Sequence, residues 1–416
     1  MVMDNYVKPL DMTGVLEWII DTGLRGLKLE EQVEGFCERL IRAGLPARRF
    51  NLAIGTLHPI HGARTFVWKD GALVAETFER GNRDRGEYTK NPIYYMRKNG
   101  VLRMRQRLDT GKPQSYPLLD EFAAAGMTEY AARIDAFERP KDGEGPLNLL
   151  SDKLLPGVFL SCTTDAPGGF DDGHLAQVDA VLPAFALAVK ARSTFDVAST
   201  VLETYLGSDA GQRVLTGQID RNVFHRLHAV IWLCDLRGFS TVANEVEHDE
   251  FVEILDAYLE LMARPVLDQG GQILKFLGDG FLATFELEEG HANTACDDTI
   301  RALDALRAQA PAFNASRGAS GKRTLDFGVA LHVGDVLYGN IGTRERLDFT
   351  VVGTAVNETS RIERLCKPLG QQVLMSHAFK AQAHSSRHRM VPLGKHALQG
   401  ISAAQALFTI AAPNAA

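Results

Sequence analysis

The stretch KFLGDGFLATF, residues 275–285, joins two apolar runs through a turn that carries a carboxylate. Gly278 and Gly280 suit a tight hairpin, and Asp279 stands between them. An apolar hairpin needs glycine to turn, but it has no use for a buried charge at its tip. A chain built around this segment must bury both runs in a sheet and hold the acid at the sheet's end.

The surrounding pattern supplies that sheet. HAVIWLCD is an apolar strand ending in Asp235, and DEFVEILDAYLELMARPVLDQG is an amphipathic helix with Phe251, Ile254, Leu255, Tyr258, Leu259 and Met262 on one stripe. After the hairpin come a helix near 291–310, the strands TLDFGVALHVGDV and RLDFTVVG, and the helix TAVNETSRIERLCKPLG closed by Gly370. QQVLMS and AQALFTI complete the sheet. The order β-α-β-β-α-β predicts a ferredoxin-like core with additions over residues 225–416.

Residues 1–195 read as a separate α+β domain, and 196–224 as a helical connector. Leu16, Ile19, Ile20, Leu24 and Leu27 fall at helical spacing, followed by Val33, Phe36, Cys37 and Leu40. RFNLAIGTL, RTFVWKD, ALVAETFE and GVFLSCTT are strands, with Asp70-Gly71 turning the middle pair. A second helical face carries Leu175, Val178, Val181, Leu182, Phe185 and Val189. His58 and His61 read as loop or core histidines, and Cys37 and Cys162 as buried apolar residues.

A length of 416 residues suits two or three domains, and 45% hydrophobic with 23% charged residues is ordinary for a folded soluble chain. A net charge of -7 argues against a general nucleic-acid binder. Five scattered cysteines without a CxxC pair read as reduced thiols, and no apolar run is expected to span a bilayer. The expectation is a cytoplasmic protein with neither nucleic acid nor membrane as partner.

Asp235 and Asp279, on neighbouring strand ends, offer the oxygen ligands that hard cations take beside a polyphosphate. Either one alone is an ordinary turn residue. Asn357 and Arg361 stand four apart on one helix face, where an amide and a guanidinium can meet a phosphoryl group. Alone, they make an ordinary polar face. Taken together and in order, CDLRGFS, KFLGDGFLATF and DFTVVGTAVNETSRIE closely resemble the class III nucleotidyl cyclases, the adenylate and guanylate cyclase catalytic domain.

The resemblance implies that Asp235, Asp279 and the Leu236 carbonyl hold two Mg²⁺ or Mn²⁺ ions per site. The turn through Gly238, Phe239 and Ser240 would cradle phosphates. Asn357 would position the ribose, and Arg361 would stabilise charge on the α-phosphoryl group. Lys275 and Thr350 would read adenine as in the Lys/Thr subclass, with Asp348 supporting them from the same strand face. The implied enzyme is an adenylate cyclase acting on ATP as a homodimer, with metal ligands from one chain and base-reading residues from its partner. Alternatives are a cyclase making cyclic GMP or a pyrimidine cyclic nucleotide, or an inactive nucleotide-binding module. The N-terminal layout resembles GAF-type sensor domains, which would take an unidentified small-molecule effector.

Overall fold

The computed structural model describes residues 9–55, 61–79, 90–137, 157–220, 223–242, 244–287, 292–401 and 403–411. His58 lies outside the described residues, as does the side chain of His61. The chain divides into two compact units, Met1–Val201 and Leu202–Ala416.

In the first unit, helices α1 (Val15–Arg25) and α2 (Leu29–Ala43) precede strands β1 (Arg49–Gly55), β2 (His61–Lys69) and β3 (Ala72–Glu79). Helix α3 (Pro92–Asn99), strand β4 (Arg103–Arg107), helix α4 (Pro117–Ala124) and strands β5 (Glu129–Asp135) and β6 (Val158–Thr164) follow. The sheet order is β3-β2-β1-β6-β5-β4. Alternation sends Phe50, Leu52, Phe66 and Leu160 to one face, where Val33, Phe36 and Leu40 of α2 pack. Phe36 stacks on Phe185 with ring centroids 4.0 Å apart. Cys37 and Cys162 are buried in this layer as expected, and burial pushes both thiols up. The stripe expected on α1 holds only at Ile19, which is buried with Val15; Leu16, Ile20 and Leu24 are exposed. Helix α1 turns one side inward and leaves the other without a covering element among the described residues.

Helix α5 (Asp172–Leu206) is long and apolar enough, by length and composition alone, to cross a membrane, which corrects the expectation that no run reaches that length. Val178, Val181, Leu182, Phe185 and Val189 of α5 are buried in the core of the first unit, the behaviour of a core helix.

The second unit continues with α6 (Ser208–Leu215), β7 (Phe224–Arg237), α7 (Phe239–Val242), α8 (His248–Asp268), β8 (Gln272–Phe276), β9 (Phe281–Glu286), α9 (Ala292–Ala319) and β10 (Asp326–Gly342). Then come β11 (Leu347–Val352), α10 (Thr354–Glu363), β12 (Val373–Ser376), α11 (His377–Gln382), β13 (Met390–His396) and β14 (Gln405–Ile410). The sheet runs β13-β14-β12-β10-β7-β9-β8, with β11 paired to β10. Within it, β10-β7-β9-β8 is the ferredoxin-like order expected from the β-α-β-β-α-β sequence. Ile254, Tyr258 and Met262 of α8 and Leu303 of α9 cover one face, against Trp232, Phe281 and Phe327. Ile231, Leu282, Tyr338 and Ala355 fill the opposite face. Burial on both sides explains why β7 reads as a continuous apolar run rather than an alternating one.

Candidate active site

Asp235 lies near the end of β7, and the β8–β9 turn brings Asp279 to it. The two glycines act differently. Gly278 turns the chain with φ of 73°, a conformation glycine adopts freely. Gly280 has the close approach instead: a Cβ there would overlap the Cys234 carbonyl oxygen and lie 2.9 Å from the Asp235 Cα. Absence of a side chain at Gly280 lets the hairpin tip rest on β7 beside the acid. The aspartate between the glycines is therefore placed against a second carboxylate.

Burial, the Asp279 charge and a hydrogen bond shared with Asp279 hold the Asp235 carboxyl well above the ordinary carboxylate range. The Leu236 N–H donates to the Asp235 carboxylate and opposes the shift. A third acid, Glu363 of α10, adds to the field on Asp235, and burial pushes Glu363 up as well. Its Oε1 would be 3.1 Å from a Cβ on Gly328, the residue paired with Asp235 across the sheet. Sequence reading passed over Glu363 because a glutamate two positions after Arg361 looks like any charge on a helix surface.

The donor set fits a hard divalent cation: two carboxylates are held together against their own repulsion, and a cation would remove that penalty. Among the described residues there is no cluster of three or more His, Cys, Asp and Glu side chains able to hold a metal. Backbone oxygen, water and substrate phosphate would have to complete the shell.

The turn after β7 places Gly238 at φ of 75°. Phe239 turns its ring into the core, 4.7 Å from that of Phe251, so only its backbone is left to face the turn. Ser240 belongs to α7, and its side chain lies outside the described residues.

Lys275 meets Asp348 rather than Thr350: its Nζ donates to Asp348 Oδ2 at 2.6 Å. The ammonium draws the Asp348 carboxyl below its ordinary range. Thr350 lies two residues along β11 on the same strand face and pairs with Gly339. Asn357 and Arg361 share one face of α10, as their spacing predicts. The Arg361 guanidinium lies about where a Cβ on Gly400 would touch it, at 3.5 Å. It has no carboxylate partner among the described residues. The charges that raise the Asp235 pKa are those of Asp279 and Glu363.

Helix α10 is anchored from below. His332 is buried, with Nδ1 2.9 Å from Ser376 Oγ and Nε2 3.6 Å from Glu358 Oε2. Burial pushes its pKa down to about 4, so the ring is neutral. Ser376 in turn accepts from the Phe379 N–H and caps α11.

Residues 227–411 match the family described as the adenylate and guanylate cyclase catalytic domain. The match lies within the second unit, and the family's description names both adenylate and guanylate cyclases. Among particular relatives, the chain is 33% identical over 146 residues to the adenylate cyclase of Anabaena cylindrica, which covers 35% of this chain and 29% of that protein. It is 29% identical over 265 residues to adenylate cyclase 2 of Rhizobium meliloti, covering 61% of this chain and 70% of that one. It is also similar to the crystal structure of the adenylyl cyclase CyaB from P. aeruginosa, with 24% identity, a TM-score of 0.40, and coverage of 46% of this chain and 98% of that chain. The chain thus spans less than a third of the Anabaena protein.

Proposed function

We propose that the protein is an adenylate cyclase that converts ATP to 3′,5′-cyclic AMP and pyrophosphate at centres assembled between two copies of the chain. The observation that carries this reading is the division of charge. Asp235 and Asp279 form a carboxylate pair in mutual contact, while Arg361 lies beside Gly400 without an acidic partner among the described residues. An anion-seeking group and a cation-seeking pair, each unsatisfied within one chain, are complementary across two.

Asp235, Asp279 and the Leu236 carbonyl would hold Mg²⁺ or Mn²⁺. When bound, such ions offset the triphosphate charge and make the ribose 3′-hydroxyl more acidic. Lys275 reads the adenine edge together with Thr350, and Asp348 keeps the Lys275 ammonium extended toward the base. Asn357 orients the ribose so that its 3′-oxygen faces the α-phosphorus in line with the leaving pyrophosphate. Arg361 donates to the α-phosphoryl oxygens as charge builds there. The backbone at Gly238, Phe239 and Ser240 approaches the phosphates.

Two features support a second copy and control from the first unit. Helix α5 runs from buried Val178 and Val189 to Leu206, beyond the end of the first unit at Val201. Its exposed residues Leu187, Ala191, Thr194, Ala198, Val201 and Tyr205 recur at spacings of four and three, the repeat that packs one helix along another. Leu187 is 68% and Tyr205 80% exposed, far more than isolated apolar residues of a helix need be. The five cysteines are free and buried, which suits a cytoplasmic setting. The test is incubation of purified protein and Mn²⁺ with each of the four nucleoside triphosphates, products being identified by mass spectrometry. Cyclic AMP from ATP is expected; cyclic GMP as main product, or no product, contradicts the reading.

A further inference from the structure

The face of the first unit's sheet that looks toward α3 and α4 is built unlike the opposite one. Register places Arg49 of β1 opposite Thr163 of β6, Thr163 opposite Tyr130 of β5, and Tyr130 opposite Gln106 of β4. One step along, Asn51 faces Ser161. A polar row thus crosses four strands beneath Met96, Leu119 and Phe122. Gln106 is satisfied, donating to Gln114 Oε1 at 2.8 Å, and the Tyr130 hydroxyl shares a hydrogen bond with Ser161.

Arg49 and Thr163 are not satisfied. Thr163 is 1% exposed, and its hydroxyl has no hydrogen-bond partner among the described residues. Arg49 is half-buried, its guanidinium carbon 5.2 Å from the Phe122 ring centroid. Among the described residues no carboxylate or other acceptor meets that guanidinium. Among the described residues only the Tyr130 charge bears on the guanidinium, and burial pulls the Arg49 pKa down. The Phe122 ring over it lies nearly parallel to Tyr130 at 6.4 Å, and Tyr116, whose charge bears on Tyr130, pairs with Tyr95 at 6.2 Å. A half-buried cation without an anion and a buried hydroxyl without a partner both cost stability. Here they are cross-strand neighbours, so a single anionic group could satisfy both.

We propose that this row is a binding site for a small organic anion that carries a planar ring. Arg49 takes the anionic oxygens, Thr163 donates its hydroxyl to them, and Phe122 and Tyr116 flank the ring. The guanidinium fork suits a carboxylate or a phosphate alike. The inference gives chemical content to the effector proposed for the first unit, and binding is measured directly so that it stands apart from the catalytic reading.

The experiment is calorimetric titration of the full-length protein with benzoate and with phenyl phosphate, inorganic phosphate serving as the ringless control. At least one ring-bearing probe should bind saturably and more tightly than inorganic phosphate; which of the two wins distinguishes carboxylate from phosphate recognition. Arg49→Met should weaken that binding about tenfold or more, and Thr163→Val should weaken it less. Arg48→Met should leave it unchanged, because Arg48 is exposed and paired with Asp165. Without ligand, Arg49→Met should melt at the same or a higher temperature than wild type, since it removes an uncompensated charge. Failure of both ring-bearing probes to bind wild type, equal binding by Arg49→Met, or a lower melting temperature for ligand-free Arg49→Met would each overturn the proposal.

Discussion

Gly280 lies so close to Cys234 that a methyl group there would overlap the Cys234 carbonyl oxygen. Gly278, two residues away, has open space around it and needs only its left-handed backbone. The two glycines should therefore respond differently to alanine. Gly278→Ala should cost about 1 kcal/mol. Gly280→Ala should cost about 2–3 kcal/mol and move Asp279 away from Asp235. Thermal melting read beside cyclic nucleotide formation checks this; equal losses for the two variants would contradict it.

The carboxylate pair gives a readout that needs no turnover. A cation that binds only the folded protein raises its melting temperature by mass action. Mn²⁺ should stabilise wild type, and Asp279→Asn should abolish most of that gain. Without metal, Asp279→Asn should melt no lower than wild type, because it removes the repulsion that raises Asp235. An undiminished Mn²⁺ response in Asp279→Asn would place the ion elsewhere.

Lys275 and Asp348 are both about half exposed, at 45% and 49% of their side chains, so their ion pair adds little to stability. Asp348→Asn should leave the melting temperature almost unchanged, within about 0.5 kcal/mol. It should nevertheless lower kcat/KM for ATP several-fold by releasing the Lys275 ammonium, and Lys275→Ala should lower it further. Steady-state kinetics with ATP and GTP decide the matter. Unaltered ATP kinetics in Lys275→Ala would remove it from base reading.

Buried His332 sets a pH dependence. The unfolded chain takes up this proton near the ordinary histidine pKa of about 6.5, whereas the folded ring resists it until about 4. Its contribution is therefore complete above the unfolded value and is lost as pH falls from there toward 4. The groups facing it are Ser376 and Glu358. His332→Gln, which can keep a hydrogen bond to Ser376, should show a flatter melting profile between pH 7 and pH 5, within a span on the order of 2–3 kcal/mol. Parallel profiles for the two proteins would exclude His332 as the source.

Much of the second unit was legible because its strands and helices differ in period. The 231–234 run, the α8 stripe and the glycine-flanked turn each allow few arrangements, and their order leads to the β10-β7-β9-β8 sheet. The site was less legible. Asp235, Asp279, Asn357 and Arg361 stood out as a motif, but Lys275's pairing with Asp348 depends on which strand edges meet, and Glu363 on which way α10 faces. In the first unit, β4 was missed because RMRQR carries charge at every second position and no apolar face of its own. Strand β13, with Pro392 and Gly394 at a register shift, has no clean alternation either. The exposed side of α1 misled for the opposite reason: Leu16, Ile20 and Leu24 have core character without core burial.

The claim that catalytic centres form between two copies is tested most directly by complementation. Asp235→Ala and Arg361→Ala chains should each be inactive alone, since every centre then lacks a required group. In a mixed dimer, one centre lacks both groups. The other takes its carboxylates from the Arg361→Ala chain and its guanidinium from the Asp235→Ala chain. With two-fold symmetry, that one intact centre in two should restore up to about half of wild-type activity per dimer. Differently tagged chains would be co-expressed, purified through both tags and assayed for cyclic AMP. Recovery in this pair, with none when Asp235→Ala is mixed with Asp279→Ala, is the predicted result; an inactive Asp235→Ala/Arg361→Ala dimer of verified composition would contradict it.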